Sequence, residues 1–279
     1  MRDIRDDILD SIAEHTVIAS IIAEDDGIIA ETTAAEQEAK ELGLTMSHIL
    51  TEGSKVRRED EIARFCGRPK QVVMAEERLI GLMAKPSGIA TATQRFVEKA
   101  GSRPAIVSGA WKKMPQSQKE VIRRAILTGG GNCRISRDPF LYLDKNYIRM
   151  LGGIRESLAA VTGLKGYAKV VQLKGDYGDI DREACEAVDH GADIIFIDSG
   201  RQQDLESVMS RLKQLGWRDR VKVAFGGNIR LEDVEPLKAL DVDILDIGRQ
   251  IIDAPLLDMR LEVIGTEEMR RENLGHGRI

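Results

Sequence analysis

Asp198 and three glycines directly follow apolar runs of the sequence, and such positions commonly hold catalytic or ligand-binding residues. Asp198 follows one apolar run, Gly226 and Gly227 follow the next with Asn228 after them, and Gly248 follows a third. Glycine backbone N–H groups can approach an anion closely, and a helix that begins there adds a favourable dipole. The two glycine loops therefore predict a phosphate-binding site. Adjacent glycines are also the ordinary composition of a tight turn, and that alternative stays open.

The elements that would position these residues alternate between strand and helix. Short runs rich in Val, Ile and Leu, typical of strands buried on both faces, are separated by amphipathic helical stretches. This order predicts parallel pairing with right-handed crossovers, and several such units in sequence indicate an α/β barrel. Chemistry in such folds gathers at the C-terminal ends of the strands. The five clear runs, fewer than the eight of a complete barrel, are 105–108, 168–173, 193–198, 221–225 and 243–247.

Residues 1–102 have a different pattern and are predicted to form a separate domain. Helical and strand-like segments are mixed there, and a long helical stretch covers 72–100. Pro86 and Gly88 interrupt that stretch and are expected to end one helix and let another begin. We therefore predict an N-terminal domain over 1–102, joined by 257–279, and a barrel domain over 103–256.

Composition excludes several classes of function. The net charge of -5, with no long block of one sign, argues against a nucleic-acid or membrane partner. The chain has no apolar signal segment, and its three cysteines are widely spaced without a zinc pattern, so we expect a cytoplasmic protein. No histidine triad or histidine metal centre is expected, because the four histidines lie outside the motifs: His15, His48, His190 and His276.

A longer motif resembles a known family. Glu77-Arg78 followed by Ser87-Gly88-Ile89-Ala90-Thr91 resembles the "ER…SGIAT" segment of the nicotinate-nucleotide pyrophosphorylases, also called quinolinate phosphoribosyltransferases. The resemblance covers about residues 20–262 and implies an incomplete parallel α/β barrel beside an N-terminal α/β sandwich. It implies transfer of a phosphoribosyl group from phosphoribosyl pyrophosphate, a small phosphorylated substrate. Mg²⁺ enters with that substrate, and no organic cofactor is implied.

The resemblance also implies an assembly. In the family, the arginine that matches Arg78 binds substrate in the active site of the partner subunit. A homodimer, a dimer of dimers or a higher assembly is therefore expected.

Two segments after the first barrel strand match the family with substitutions. The family's "TRKTTP" matches 110–115, where Lys112 is kept and Trp111 replaces an arginine that clamps a substrate carboxylate. The family's "GGG.NHR" matches 129–134, where Arg134 is kept and Cys133 replaces a histidine. An aromatic face cannot make the bidentate contact of an arginine, so binding of a carboxylated substrate should be weaker.

Two further segments have lost charges of both signs. The family's "KDNH" lysine falls on Asp144, and the neighbouring Lys145 is the candidate substitute. The family's "EVE" strand reads Gln172-Leu173-Lys174, so the carboxylate that would stabilise developing positive charge is absent. Quinolinate carries two carboxylates and needs cations to hold both, and we therefore expect that it is not the acceptor.

Two functions remain as hypotheses. The first is a phosphoribosyltransferase acting on a small nitrogen-containing aromatic ring. Its Lys112 and Arg134 would hold pyrophosphate or acceptor oxygens, Asp198 would face the ribose or its Mg²⁺, and the glycine loops with Asn228 would hold the 5′-phosphate. The second is a divergent member that binds a phosphorylated ligand without transfer or catalyses another reaction, because fold does not fix function.

Overall fold

A computed structural model describes residues 3–267 of the chain. The chain divides into two compact units, one formed by residues up to Thr91 together with those from Pro255 onward, the other by Ala92–Ala254. We describe them as unit 1 and unit 2. Among the described residues, none of the helices combines the length and apolar content needed to cross a bilayer.

The secondary structure has the following bounds. The strands are β1 (Thr16–Ala23), β2 (Gly27–Ile28), β3 (Thr45–Ile49), β4 (Lys55–Val56), β5 (Glu61–Gly67), β6 (Ala105–Val107), β7 (Phe140–Leu143), β8 (Ala168–Leu173), β9 (Ile194–Ile197), β10 (Lys222–Gly226), β11 (Ile244–Asp246) and β12 (Met259–Glu267). The helices are α1 (Ile4–Ile8), α2 (Thr32–Glu41), α3 (Pro69–Ala75), α4 (Gly81–Ala100), α5 (Gln116–Thr128), α6 (Lys145–Leu151), α7 (Ile154–Ala160), α8 (Ile180–Asp189), α9 (Gln202–Gln214), α10 (Val234–Ala239) and α11 (Arg249–Ile252).

Unit 1 contains an antiparallel sheet with the order β12-β1-β5-β3. The odd-numbered residues of β1, from Val17 to Ala23, are buried, as the two-residue period of a strand requires. They share one apolar core with Phe65 of β5 and with Leu79 and Met83 from the helical segment 69–84. This arrangement of helices on one sheet is the predicted α/β sandwich.

Two residues of the Ser87–Thr91 motif form hydrogen bonds with the backbone of unit 1. Ser87 and Thr91 are buried, and their hydroxyl oxygens accept the backbone N–H groups of Ala30 at 2.9 Å and Ile28 at 2.9 Å. The prediction that the helix breaks at Pro86 and Gly88 is wrong, because α4 continues through both residues. Gly88 serves packing instead, since a Cβ there would collide with the carbonyl oxygen of Pro255. The helical path is interrupted earlier, by a π-helical segment at Glu76–Ile80.

Unit 2 is built on a parallel sheet with the order β6-β11-β10-β9-β8-β7. Five of its six strands coincide with the five apolar runs of the sequence. The sixth, β7, was missed. The sheet is not closed, because β6 and β7 are its two edges. Side chains from all six strands nevertheless meet in one apolar cluster, so the sheet curves around a shared interior as an incomplete barrel: Val107, Phe140, Tyr142, Val170, Ile194, Phe196, Ala224 and Ile244.

Candidate active site

The candidate site lies at the C-terminal ends of the unit 2 strands. Side chains along a strand alternate between faces, so the residue two positions after an interior residue faces the same way. Applying that step to the last interior residue of each strand gives one layer above the apolar cluster. We call this layer the mouth: Gly109, Asp144, Gln172, Asp198, Gly226 and Asp246. Its members come from six different strands, and several of them contact one another.

Asp198 is held by two of the residues that the sequence singled out. The side-chain amide of Gln172 donates to Asp198 Oδ2 at 2.6 Å, and Lys174 Nζ lies 3.0 Å from the same oxygen. Lys174 Nζ also donates to the backbone carbonyl of Asp198 at 2.8 Å. The substituted strand β8 therefore supplies a cation that neutralises Asp198, where the family pattern would place an additional acid.

Asp246 was missed in the sequence: the predicted strand 243–247 extended one residue past it, whereas the structure ends β11 at Asp246. Its Oδ1 accepts the backbone N–H of Gly109 at 2.9 Å. Burial raises the pKa of Asp246, and the nearby charge of Asp198 raises it further, while the Gly109 hydrogen bond and the charges of Lys112 and Lys113 act in the opposite direction. The raised pKa marks a carboxylate whose ionised form lacks sufficient partners in the protein.

Lys112 and Arg134 both lie over aromatic rings of β7. Lys112 Nζ is 5.7 Å from the centroid of the Tyr142 ring. Arg134 Cζ is 5.1 Å from the ring of Phe140, the first residue of β7, and Arg134 lines a pocket with Lys222 and Asp243, so it lies at the N-terminal end of the sheet and not at the mouth. Burial raises the pKa of Tyr142, and the charges of Asp198, Asp246 and Asp144 raise it further, so its hydroxyl stays protonated. Lys112 makes no ion pair with another described residue. Its ammonium group is exposed at the rim of the mouth and can take an anionic ligand.

Trp111 is fixed by two contacts that the sequence could not show. Its indole N–H donates to the backbone carbonyl of Cys133 at 2.9 Å, which joins the two substituted family segments. The guanidinium of Arg123, from α5, lies 4.8 Å over the indole ring. Trp111 thus stacks on a cation within the protein, and that cation is held beside the position of the family's arginine.

The glycine loops after β10 and β11 form an open pocket of about 330 Å³, lined by Asn228, Ile229, Arg230, Gly248, Arg249 and Gln250. Gly226 and Gly227 lie next to this pocket in sequence but do not line it. Gly227 has φ +115, and a Cβ there would lie 2.6 Å from the Cα of Gly200. Close approach of two backbones therefore explains Gly227 without a ligand, whereas Asn228 and Gly248 face the pocket.

Several residues singled out in the sequence make structural contacts or belong to unit 1. Asp144 caps α6 by accepting the N–H groups of Asn146 at 2.8 Å and Tyr147 at 3.1 Å. Lys145 meets Gln172 through its backbone N–H, at 3.0 Å from Oε1, and not through its ammonium group. Arg78 belongs to unit 1 and pairs with Glu38 there.

The donor set at the mouth bears on the Mg²⁺ that the resemblance implies. Within residues 3–267, no group of three or more His, Cys, Asp or Glu side chains is arranged to hold a metal ion. Mg²⁺ is commonly bound through one or two carboxylates together with substrate phosphates and water. Asp198 therefore fits a metal that arrives with a phosphorylated substrate, and the mouth does not form a cage for a resident ion.

Comparison with known proteins agrees with this architecture. The family model "Quinolinate phosphoribosyl transferase, N-terminal domain" matches residues 3–87, and its C-terminal counterpart matches 89–262. A probable nicotinate-nucleotide pyrophosphorylase [carboxylating] of Archaeoglobus fulgidus is 26% identical, covering 91% of this chain and 97% of the relative. One from Methanothermobacter thermautotrophicus is 25% identical, covering 89% of each chain. The crystal structure of nicotinate-nucleotide pyrophosphorylase from Pyrococcus furiosus shares the fold, with a TM-score of 0.81 at 20% identity, covering 94% of this chain and 73% of that one. Because the two family models together match nearly the whole chain, it belongs to the quinolinate phosphoribosyltransferase family.

Proposed function

We propose that this protein is a phosphoribosyltransferase that moves the phosphoribosyl group of phosphoribosyl pyrophosphate to a ring nitrogen of a small aromatic acceptor other than quinolinate. The observation that carries the proposal is the juxtaposition of two features. An open pocket at Asn228 and Gly248 adjoins a mouth with carboxylates at Asp198 and Asp246 and an unpaired cation at Lys112. Such a set suits a ligand with a phosphate at one end and a pyrophosphate at the other.

Each part of the site has a role in this reaction. The 5′-phosphate would lie in the pocket lined by Arg230 and Arg249, whose exposed guanidiniums make only long ion pairs, with Glu232 at 3.8 Å and Asp253 at 3.6 Å. Lys112 would bind the pyrophosphate and stabilise its charge as it leaves. Arg134 has no role here, because it shares a pocket with Lys222 and Asp243 at the N-terminal ends of the strands. Asp198 would contact the ribose hydroxyls or Mg²⁺, and Lys174 fixes its position. The protein's contribution is chiefly placement of the sugar and electrostatic stabilisation.

The acceptor proposed here differs from quinolinate because of three positions. Trp111, Cys133 and Asp144 stand where the family has an arginine, a histidine and a lysine, and the cation gained at Lys174 is bound to Asp198. Fewer cations are free for two carboxylates than the family pattern provides. Arg123, stacked on Trp111, leaves one guanidinium close to the acceptor region.

A second function is favoured by one specific contact. The Lys174–Asp198 ion pair, at 3.0 Å, occupies the carboxylate that the transferase would need near the ribose. A protein that binds a phosphorylated ligand without transfer would show this arrangement. Release of pyrophosphate separates the two functions, since binding alone releases none.

The test begins with calorimetry of ribose 5-phosphate and of phosphoribosyl pyrophosphate with Mg²⁺. It continues with pyrophosphate release in the presence of a panel of nitrogen-containing aromatic rings. Gly248→Val should weaken binding of both sugar phosphates at least about tenfold, because it fills the pocket. The fold should tolerate it, since a Cβ at Gly248 would meet only Ala110 Cβ at 3.7 Å. Gly163→Val is the matched control, because a Cβ there meets nothing within 4 Å.

Unchanged affinity in Gly248→Val would show that the loop is merely a turn. Binding without pyrophosphate release on any ring would favour the second function. The proposed homodimer, with Arg78 contributing to the partner's site, is tested separately by light scattering, and a monomer that remains active would contradict it.

A further inference from the structure

Three carboxylates belong to the mouth, and two of them are already committed. Asp144 caps α6 through two backbone N–H groups. Asp198 receives Lys174 and Gln172 on one oxygen. Asp246 receives a single neutral donor, the N–H of Gly109, and forms no ion pair with another described residue. Among the three, Asp246 is the carboxylate available to a ligand.

The position of Asp246 relative to the pocket follows from the sheet. Gly248, which lines the pocket, lies two residues beyond Asp246, roughly 7 Å along an extended chain. On the neighbouring strand, Gly226 is in register with Asp246. A Cβ at Gly226 would lie 2.8 Å from the ring of Phe196 and 3.4 Å from the Cβ of Asp246, so the glycine lets that apolar ring pack beside Asp246. A sugar whose phosphate occupies the pocket would place its ring near Asp246.

We propose that Asp246 is a catalytic residue that stabilises the positive charge of the ribosyl ring as pyrophosphate leaves. The proposal rests on the transferase function above. In that step the bond from C1 to the pyrophosphate oxygen breaks, and its electron pair leaves with pyrophosphate. The ring becomes cationic until the lone pair of the acceptor nitrogen forms the new C–N bond. Asp246 exchanges no proton and forms no bond, and it acts through its charge.

The electrostatics of the mouth support this role over one for Asp198. A carboxylate that is buried without a counter-charge is unfavourable by itself, and the arrival of a cation relieves that cost. The raised pKa of Asp246 reflects this condition. Asp198 already has a cation at 3.0 Å, which diminishes its attraction for a second one. The acid absent from β8 would thus be replaced by one on β11, on the other side of Asp198 in the sheet.

The experiment compares two probes that share a phosphate and differ in charge. These are ribose 5-phosphate and its imino analogue, 1,4-dideoxy-1,4-imino-ribitol 5-phosphate, whose ring nitrogen is protonated. Calorimetry at neutral pH should show that the unmodified protein prefers the cationic probe by about tenfold to a hundredfold. Asp246→Asn should remove most of this preference and leave the affinity for ribose 5-phosphate nearly unchanged. Asp144→Asn is the matched control and should retain the preference, because asparagine also caps a helix.

The outcomes separate this proposal from the proposed function. If ribose 5-phosphate does not bind, the proposed function fails and the role of Asp246 fails with it. If ribose 5-phosphate binds but the cationic probe has no advantage, only the role of Asp246 is overturned. The same holds if Asp246→Asn keeps the preference, or if Asp198→Asn removes it while Asp246→Asn does not.

Discussion

Asp243 and Asp246 flank opposite ends of the short strand β11, and their environments differ completely. Asp243 Oδ2 accepts from Arg218 at 2.8 Å and from the N–H of Val223 at 2.7 Å, and Arg103 contacts its other oxygen. Arg218 is only 12% exposed and also bonds Asp241. Asp246, at the C-terminal end, has one backbone donor and a raised pKa. The aspartate at the N-terminal end of β11 is paired within the protein, whereas Asp246 at its C-terminal end leaves capacity for a ligand.

The two ends of β11 should therefore affect different properties of the protein, stability at one end and ligand binding at the other. A charge fully paired by its own chain can contribute to stability but has little left for a ligand. A charge left short of partners lowers stability and gains from ligand binding. Substitutions at the N-terminal end should therefore alter the free energy of unfolding, and those at the mouth should alter binding and turnover.

The largest effect is expected from Arg218→Ala. It removes the more buried of the two arginines that pair with Asp241 and Asp243, while the exposed Arg103 remains, and should lower the free energy of unfolding by about 3 kcal/mol, measured by urea denaturation. Arg220→Ala is the matched control: it removes the same charge from an exposed side chain stacked on Trp217 and should cost about 0.5–1 kcal/mol. Loss of ribose 5-phosphate binding in a folded Arg218→Ala protein would contradict the separation of the two ends.

An intermediate effect is expected on substrate selection at the mouth. The unmodified protein should convert quinolinate very weakly or not at all, measured by pyrophosphate release and nicotinate mononucleotide formation. Trp111→Arg should improve quinolinate binding by about tenfold to a hundredfold, the value of one charge-assisted contact of about 1.5–3 kcal/mol. Turnover should improve less, because Gln172 and Lys174 remain. Trp111→Phe, which keeps a ring for Arg123, is the control. Efficient use of quinolinate by the natural chain would show that its remaining cations suffice.

The smallest effect concerns pH and stability at Asp246. Its folded pKa lies above the ordinary value of 3.8, so the folded protein binds the proton more tightly than the unfolded chain does. The contribution of Asp246 to stability is therefore present at low pH and is lost as pH rises through the raised pKa. Asparagine does not titrate, so Asp246→Asn should raise the melting temperature modestly at neutral pH, with a smaller gain near pH 4. Asp198→Asn should give no such gain, since it removes the ion-pair partner of Lys174. An equal shift for Asp246→Asn at both pH values would contradict this account.

The fold was predictable where burial is continuous in sequence. The five apolar runs of unit 2 are all strands, because Val and Ile buried on both faces leave an unbroken signal. Strand β7 was missed because Phe140, Leu141 and Tyr142 are only half-buried and the run is four residues long. The expected break at Pro86 and Gly88 failed for a tertiary reason: the space Gly88 provides is used by Pro255, a residue far away in sequence.

The sequence indicated candidate positions at the mouth but not the contacts among them. Strand ends and family motifs singled out Asp198, Gln172 and Lys174, yet no pattern indicated that they bond to one another. The Trp111–Cys133 bond and the stacking of Arg123 join segments whose spacing carries no periodic signal. Asp246 lies inside the predicted strand 243–247, one residue before its predicted end, and only Gly248 in the loop that follows was interpreted as a site residue.

The pairing of β1 with β12 sets an order for biosynthesis. The register joins Thr16 to Glu267 and Ala23 to Met259, so a central strand of unit 1 has as its neighbour a strand that leaves the ribosome only after the whole of unit 2. Until then β1 has an open edge, which is a liability for association between nascent chains. Unit 2 is contiguous over Ala92–Ala254 and meets no such delay. Domain-wise folding during synthesis should therefore complete the catalytic unit first and the N-terminal sheet last, the reverse of their order along the chain.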